Sequence, residues 1–142
     1  MKRFKFLEHM SDAYVAAYGK TLEEAFENAA LAMFEVMTDT SKVEPKERFK
    51  VEATGFDLYS LLYSWLEELL IIYGVNNVLL SRFKVHEIKR INEEYLVRGE
   101  AYGERFDPSK HEQRTEVKAV TYSLMEVLKK NGEYEVRVVF DI

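Results

Sequence analysis

Residues 58–73 constrain the chain more than any other stretch. Leu58, Leu61, Leu62, Trp65, Leu69, Ile72 and Tyr73 recur at helical spacing, with Ser60, Ser64, Glu67 and Glu68 opposite them. Asp57 stands where an N-cap accepts the first free backbone N–H groups, and Gly74 is placed to stop the helix. A helix with so broad an apolar face has to bury it against a second layer.

Strands supply that layer. Phe4 and Phe6 alternate with Lys5 and Leu7, a second extended run covers 13–18 up to Gly19, and Phe49, Val51 and Ala53 alternate with Lys50, Glu52 and Thr54. Residues 83–91 and 95–102 predict two strands joined through Asn92-Glu93. Asn131-Gly132, a pair that tolerates positive φ, predicts a hairpin joining 122–128 to 134–140. A second helix begins at Thr21-Leu22-Glu23-Glu24, a capping-box sequence, and carries Leu22, Ala25, Phe26, Ala29, Met33, Val36 and Met37 at helical spacing. The expected architecture is α+β: a mainly antiparallel or mixed sheet with two amphipathic helices on one face. At 142 residues it is read as a single domain, 1–142.

Composition removes several kinds of chemistry. The absence of cysteine excludes disulfide scaffolds, thiolate nucleophiles and thiolate metal centres. The net charge of −5 argues against a protein that coats nucleic acid by neutralising phosphates. Twenty glutamates against five aspartates, with a single Gln113, resemble thermophile usage. The apolar run 69–75 is far short of the ~20 residues of a membrane span, and no secretory leader is read, so a cytoplasmic protein with no membrane partner is expected. No glycine-rich phosphate loop, nucleophile elbow or His-Glu-x-x-His motif is present, and nothing in the spacing favours a catalytic triad.

Two residue groups remain. Asp12, close to Glu8 and His9, and Asp141, next to the end at Ile142, are scarce carboxylates at opposite ends of the sequence. Two carboxylates held about 4 Å apart repel by roughly 4 kcal/mol at an effective dielectric near 20, so a proton or a hard divalent cation must settle them. From the spacing alone, a turn aspartate and a solvated end are the favoured reading of the two. Arg82, Lys84 and His86 share one side of their strand, either as a phosphate or acidic-partner site or as the charge that guards an edge strand.

Glu8-His9-Met10-Ser11-Asp12 followed by Gly19-Lys20-Thr21-Leu22-Glu23-Glu24-Ala25-Phe26 resembles the opening of the archease family, whose usual form is Glu-His-Thr-Ala-Asp. The run 61–70, Glu100-Ala101-Tyr102-Gly103-Glu104, Lys110-His111, the run 116–122 and Val139-Phe140-Asp141-Ile142 extend the resemblance along the whole chain in order. Ser123 stands where many members have histidine. The resemblance implies two modified strand-helix-strand-strand modules. It also implies a non-catalytic helper that activates an RtcB-type tRNA-splicing RNA ligase by promoting its guanylylation and turnover, touching RNA only indirectly. The alternative it carries is a chaperone-like or nucleic-acid-binding module that modulates DNA- or RNA-processing enzymes. By position, Asp12, Asp141 and Ile142 become a divalent metal site, for Ca2+ before Mg2+ or Mn2+. Lys110, His111, Lys118 and His9 become the expected partner or nucleotide contacts.

Overall fold

The computed structural model describes residues 2–8 and 12–142. Its elements run β1 (Phe4–Leu7), β2 (Ala13–Gly19), α1 (Leu22–Met37), a 3-10 turn (Thr40–Lys42), β3 (Glu47–Gly55), α2 (Leu58–Asn76), β4 (Val78–Ile91), β5 (Glu94–Arg105), β6 (Ala119–Val120), β7 (Glu126–Lys130) and β8 (Glu133–Asp141). The fold is α+β, and every strand pair is antiparallel. The strands form two sheets rather than one: β1-β2-β8-β6 with β7 also on β8, and β3-β5-β4.

Both helix starts follow from their caps. Thr21 Oγ1 accepts the Glu24 N–H at 3.1 Å, and the Glu24 carboxylate reaches back one residue further than a capping box requires, to the Lys20 N–H at 2.9 Å. Asp57 and Ser60 form a reciprocal capping box at α2. The expected stop at Gly74 is displaced. The helix continues to Asn76, and Asn77 takes the left-handed cap at φ 53°, because Asn tolerates that region and one glycine costs a helix too little to end it. Tyr122 to Met125, expected in a strand, forms a tight turn in which the Met125 N–H donates to the Tyr122 carbonyl, and the strand starts only at Glu126.

The two sheets repeat one plan. In each, a strand leads into a helix and the last strand of a hairpin returns between the first strand and its own partner: β2-α1-β7-β8 ordered β2-β8-β7, and β3-α2-β4-β5 ordered β3-β5-β4. The second module, 47–105, is inserted whole into the first. Gly19 and Gly55 end the leading strands two residues before the caps, each where a Cβ would strike the backbone of the first helical turn. Asn92 and Asn131 turn the two hairpins at φ 56° and 52°.

Each helix touches strands of both sheets, α1 packing on β2, β8 and β4 and α2 on β3, β5, β6 and β7. The helices therefore do not cover one face of a single sheet. α1 has no exposed residue at all, since its alanines admit close approach from both sides. Trp65, fully buried on α2, fills the gap to α1 and donates its indole N–H to the Phe26 carbonyl at 3.1 Å. Truncating that ring leaves a cavity and removes the second hydrogen bond to a helical carbonyl. Trp65→Ala is expected to lower unfolding free energy by about 3–5 kcal/mol in urea denaturation.

Candidate functional site

The β2–β8 ladder sets the geometry of the expected metal residues. Its last registered pair is Ala13 with Phe140, so Asp12, just before β2, and Asp141, the last residue of β8, each lie one residue beyond that pair. On the other side of β8, Ala119 pairs with Asp141, and the Lys118 N–H donates to the Asp141 carbonyl at 2.8 Å. Asp141 is exposed, Asp12 half-buried, and Ile142 half-buried with its side chain packed on the core. Asp12, Asp141, Ile142 and Lys118 thus converge at one end of the five-stranded sheet. Among the described residues no three His, Asp or Glu side chains gather as a metal cluster. A cation there would need the Ile142 carbonyl oxygen or water beside the two aspartates. Carboxylate oxygens on neighbouring strands are the donor type that hard divalent ions prefer, and they fit such an ion in charge and softness. His9 lies outside the described residues.

Lys110 and His111 belong to a second constellation, built where the chain enters and leaves the inserted module. The buried Glu104 carboxylate of β5 accepts the Glu44 N–H at 2.8 Å, Lys110 Nζ at 2.7 Å and His111 Nε2 at 3.0 Å, all through Oε2, and Lys46 Nζ stands 3.7 Å from Oε1. His111 is itself buried. The Asp107 N–H donates to its Nδ1 at 2.9 Å, which requires the ring hydrogen to sit on Nε2 facing Glu104. His111 is therefore an internal strut with both ring nitrogens engaged, while Lys110 presents its ammonium at the surface between Glu44 and Glu104. The segment 106–118 is further held by Arg114, whose N–H donates to the Met37 carbonyl at 3.0 Å and whose guanidinium meets Glu35 at 3.1 Å, and by the Thr38 hydroxyl on the Glu112 carbonyl at 2.8 Å. These bonds fix the segment that delivers Lys118 to Asp141.

Glu104 was not among the residues singled out by sequence. Its signal was a glutamate at the end of a long apolar alternation, followed seven residues later by a histidine. Asp39, at the end of α1, is also engaged: its carboxylate accepts from Ser41 N–H and Oγ at 3.1 and 2.6 Å, which lowers its pKa. The Arg82, Lys84 and His86 stripe lies on β4, an edge strand, and His86 Nε2 is 2.9 Å from Glu100, which also binds Arg48. Its histidine is thus tied to a carboxylate of its own sheet.

The sequence profile of the archease protein family (MTH1598/TM1083) matches residues 4–142. The chain is 52% identical to the Sulfurisphaera tokodaii protein archease and 51% identical to that of Sulfolobus acidocaldarius, each covered completely along with this chain. Among solved structures, the solution structure of Methanobacterium thermoautotrophicum protein 1598 aligns at TM-score 0.88 with 50% identity over 100% of both chains. The crystal structure of a Thermotoga maritima archease, described as a possible chaperone, aligns at 0.60 with 21% identity over 97% of this chain and 96% of that one, a likeness of fold.

Burial alone would raise the Glu104 pKa, but the Glu44 N–H, Lys110 and His111 outweigh it and hold it from 4.5 down to about 2. A depressed folded-state pKa stabilises above the unfolded value and loses that contribution as pH falls through the folded one. Wild-type stability is expected to fall between pH 4.5 and about 2, and urea titrations of Glu104→Gln should lack that part of the slope while starting from lower stability at neutral pH.

Proposed function

The chain belongs to the archease protein family, and on that premise we propose that it is a non-catalytic accessory protein that activates an RtcB-type RNA ligase by promoting its guanylylation and turnover. The observation that carries the reading is the convergence of Asp12, Asp141 and Ile142 beside Lys118 at the end of the β2–β8 ladder. In this reading the two aspartates and the Ile142 oxygens hold a divalent cation, Ca2+ before Mg2+ or Mn2+. They supply fewer than the 6–8 oxygens Ca2+ takes, which leaves positions for water or a partner's ligand. The bound ion would contribute positive charge beside a nucleotide or metal centre of the ligase. The chain's own part is to hold the carboxylates in register and to keep Lys118, and Lys110 at the far end of the same pinned segment, near phosphate charge.

The alternative, a chaperone-like or nucleic-acid-binding module, draws its support from the description of the Thermotoga protein and from the Arg82–His86 stripe. The pairing of His86 and Arg48 with Glu100, together with the net charge of −5, favours the helper over the RNA binder. The cytoplasm is the compartment that fits an RNA-ligase helper.

Adding this protein to a purified RtcB-type ligase with GTP and Mn2+ is expected to raise the rate of ligase guanylylation. Asp12→Ala should abolish that stimulation with an unfolding free energy within ~1 kcal/mol of wild type; normal activation by the purified variant removes Asp12 from the site. Residues appended after Ile142 should weaken Ca2+ binding in calorimetry without unfolding the protein, and an unchanged affinity removes Ile142.

A further inference from the structure

The outer side of α2 does not look like the surface of a solvated helix. Tyr59, Tyr63, Glu67, Ile71 and Val75 follow one another at i,i+4 spacing, so they form one stripe. Glu67 is the sole charge in it, and the inner residues Leu61, Leu62, Trp65, Leu66 and Leu69 are already spent on the core. By length and composition the helix is apolar enough to cross a bilayer, and only a third of it is buried within the protein. The excess lies on this outer stripe.

At the amino-terminal end of α2 the apolar surface widens. Tyr122 stacks on Tyr63 with ring centroids 4.4 Å apart and planes 8° from parallel. Phe56 occupies the position before the cap, where an apolar side chain commonly packs against the fourth helical residue, here Leu61. Leu61 is fully buried without it, and Phe56 is 76% exposed. The equivalent position of the first module is Lys20, so the fold does not demand a phenylalanine there. The turn that presents Tyr122 also carries Leu124, 53% exposed at φ 54°. A leucine in the left-handed region is strained, and a glycine or asparagine would sit there at lower cost. A phenylalanine in water, a strained exposed leucine and a tyrosine stack that leaves Tyr122 53% exposed lie around one helix end, and among the described residues the first two stay largely uncovered.

Charge narrows the occupant. Between Lys50 and Arg82 the chain has no Lys, Arg or His, and it has four carboxylates, Glu52, Asp57, Glu67 and Glu68. Asp57 and Glu67 act on the Tyr122 phenol and Glu67 on that of Tyr63, each adding to the effect of burial in raising the phenol pKa, so the acids border the stack itself. A negative rim repels RNA phosphates and anionic lipid. A second copy docked about a two-fold axis would set Glu67 against Glu67. What complements an aromatic centre with an acidic rim is an apolar surface flanked by cations.

We propose that Phe56, Tyr59, Tyr63, Tyr122 and Leu124 form a docking surface for an amphipathic, Lys- or Arg-rich helical segment of a partner protein. The surface continues the candidate site, because Tyr122 follows Lys118 by four residues, about 13 Å along an extended chain. A partner seated on α2 would reach the Asp141 end without turning the molecule. The inference uses neither the cation nor the identity of the ligase.

The test uses two 14-residue helical peptides as probes, one of leucine and lysine and one of leucine and glutamate, titrated into the full chain by fluorescence anisotropy. The basic peptide is expected to bind and the acidic one not to. The double variant Phe56→Ser/Tyr122→Ser should weaken the basic peptide at least tenfold, and Asp57→Asn/Glu67→Gln should flatten its salt dependence. Leu124→Gly relieves the backbone strain, so it should melt no lower than wild type and yet bind more weakly, which separates docking from folding. Equal affinity of the basic peptide for wild type and for Phe56→Ser/Tyr122→Ser, or no binding to wild type, overturns the inference. A wild-type dimer in sedimentation equilibrium that the double variant abolishes overturns it in favour of self-association. Binding of a uridine 20-mer lost in the double variant overturns it in favour of RNA. None of these outcomes alters the guanylylation result, so the two readings fail separately.

Discussion

The pairing of β2 with β8 is the interaction on which the rest of the molecule hangs. It joins residues 13–19 to residues 134–140, across nearly the whole sequence, and it places β8 at the centre of its sheet. Closing so long a loop costs only slightly more entropy than closing one half as long, but the contact cannot form until everything between has been ordered or set aside. The inserted module can pair β3, β5 and β4 from a continuous stretch of chain, whereas the first sheet must wait for both ends. The candidate site sits at the end of that late ladder, so its carboxylates come together only when the fold is complete.

Electrostatics explain why the segment leading into β6 can be irregular and still be fixed. It has no regular structure between Arg105 and Ala119, yet Glu104 receives three donors from it and from the segment that precedes β3, and Arg114 ties it to the end of α1. A buried carboxylate so satisfied is costly to disturb, since losing one donor leaves charge without a partner. The surface charges of β4 act differently. Paired on an exposed strand, they contribute little to stability and serve to discourage sheet-to-sheet association.

Much of this was legible in the sequence, and the failures are physical rather than random. Thr21 and Asp57 announced their helices because a cap is a local bond between neighbouring residues, and Asn131-Gly132 announced its hairpin for the same reason. The helix end near Gly74 was misplaced because a single glycine costs a helix only about 1 kcal/mol, too little to stop one whose neighbours are packed on the core. The second sheet was not legible: alternation shows that a strand has an inner face but not which layer it meets. The duplication did leave a trace, in Gly-Lys-Thr-Leu at 19–22 against Gly-Phe-Asp-Leu at 55–58, and in Arg90-Ile91-Asn92-Glu93-Glu94-Tyr95 against Lys129-Lys130-Asn131-Gly132-Glu133-Tyr134. In both hairpins a cation lies over the tyrosine ring, at 5.5 Å for Arg90 and 5.4 Å for Lys129. Asp12 and Asp141 were legible as candidates because aspartate is scarce here. The role of Glu104 was not, since its partners come from two segments some sixty residues apart, 44–46 and 110–111.

The chain enters the inserted module through residues 43–46 and leaves it through 106–111, and Glu44, Glu104 and Lys110 clasp those two crossings together. Both covalent joints between the modules therefore lie side by side, like the leaves of a single hinge. Any swing of one module against the other must pivot there, and a load applied to either crossing is passed to its neighbour through the Glu104 carboxylate before it reaches the sheets.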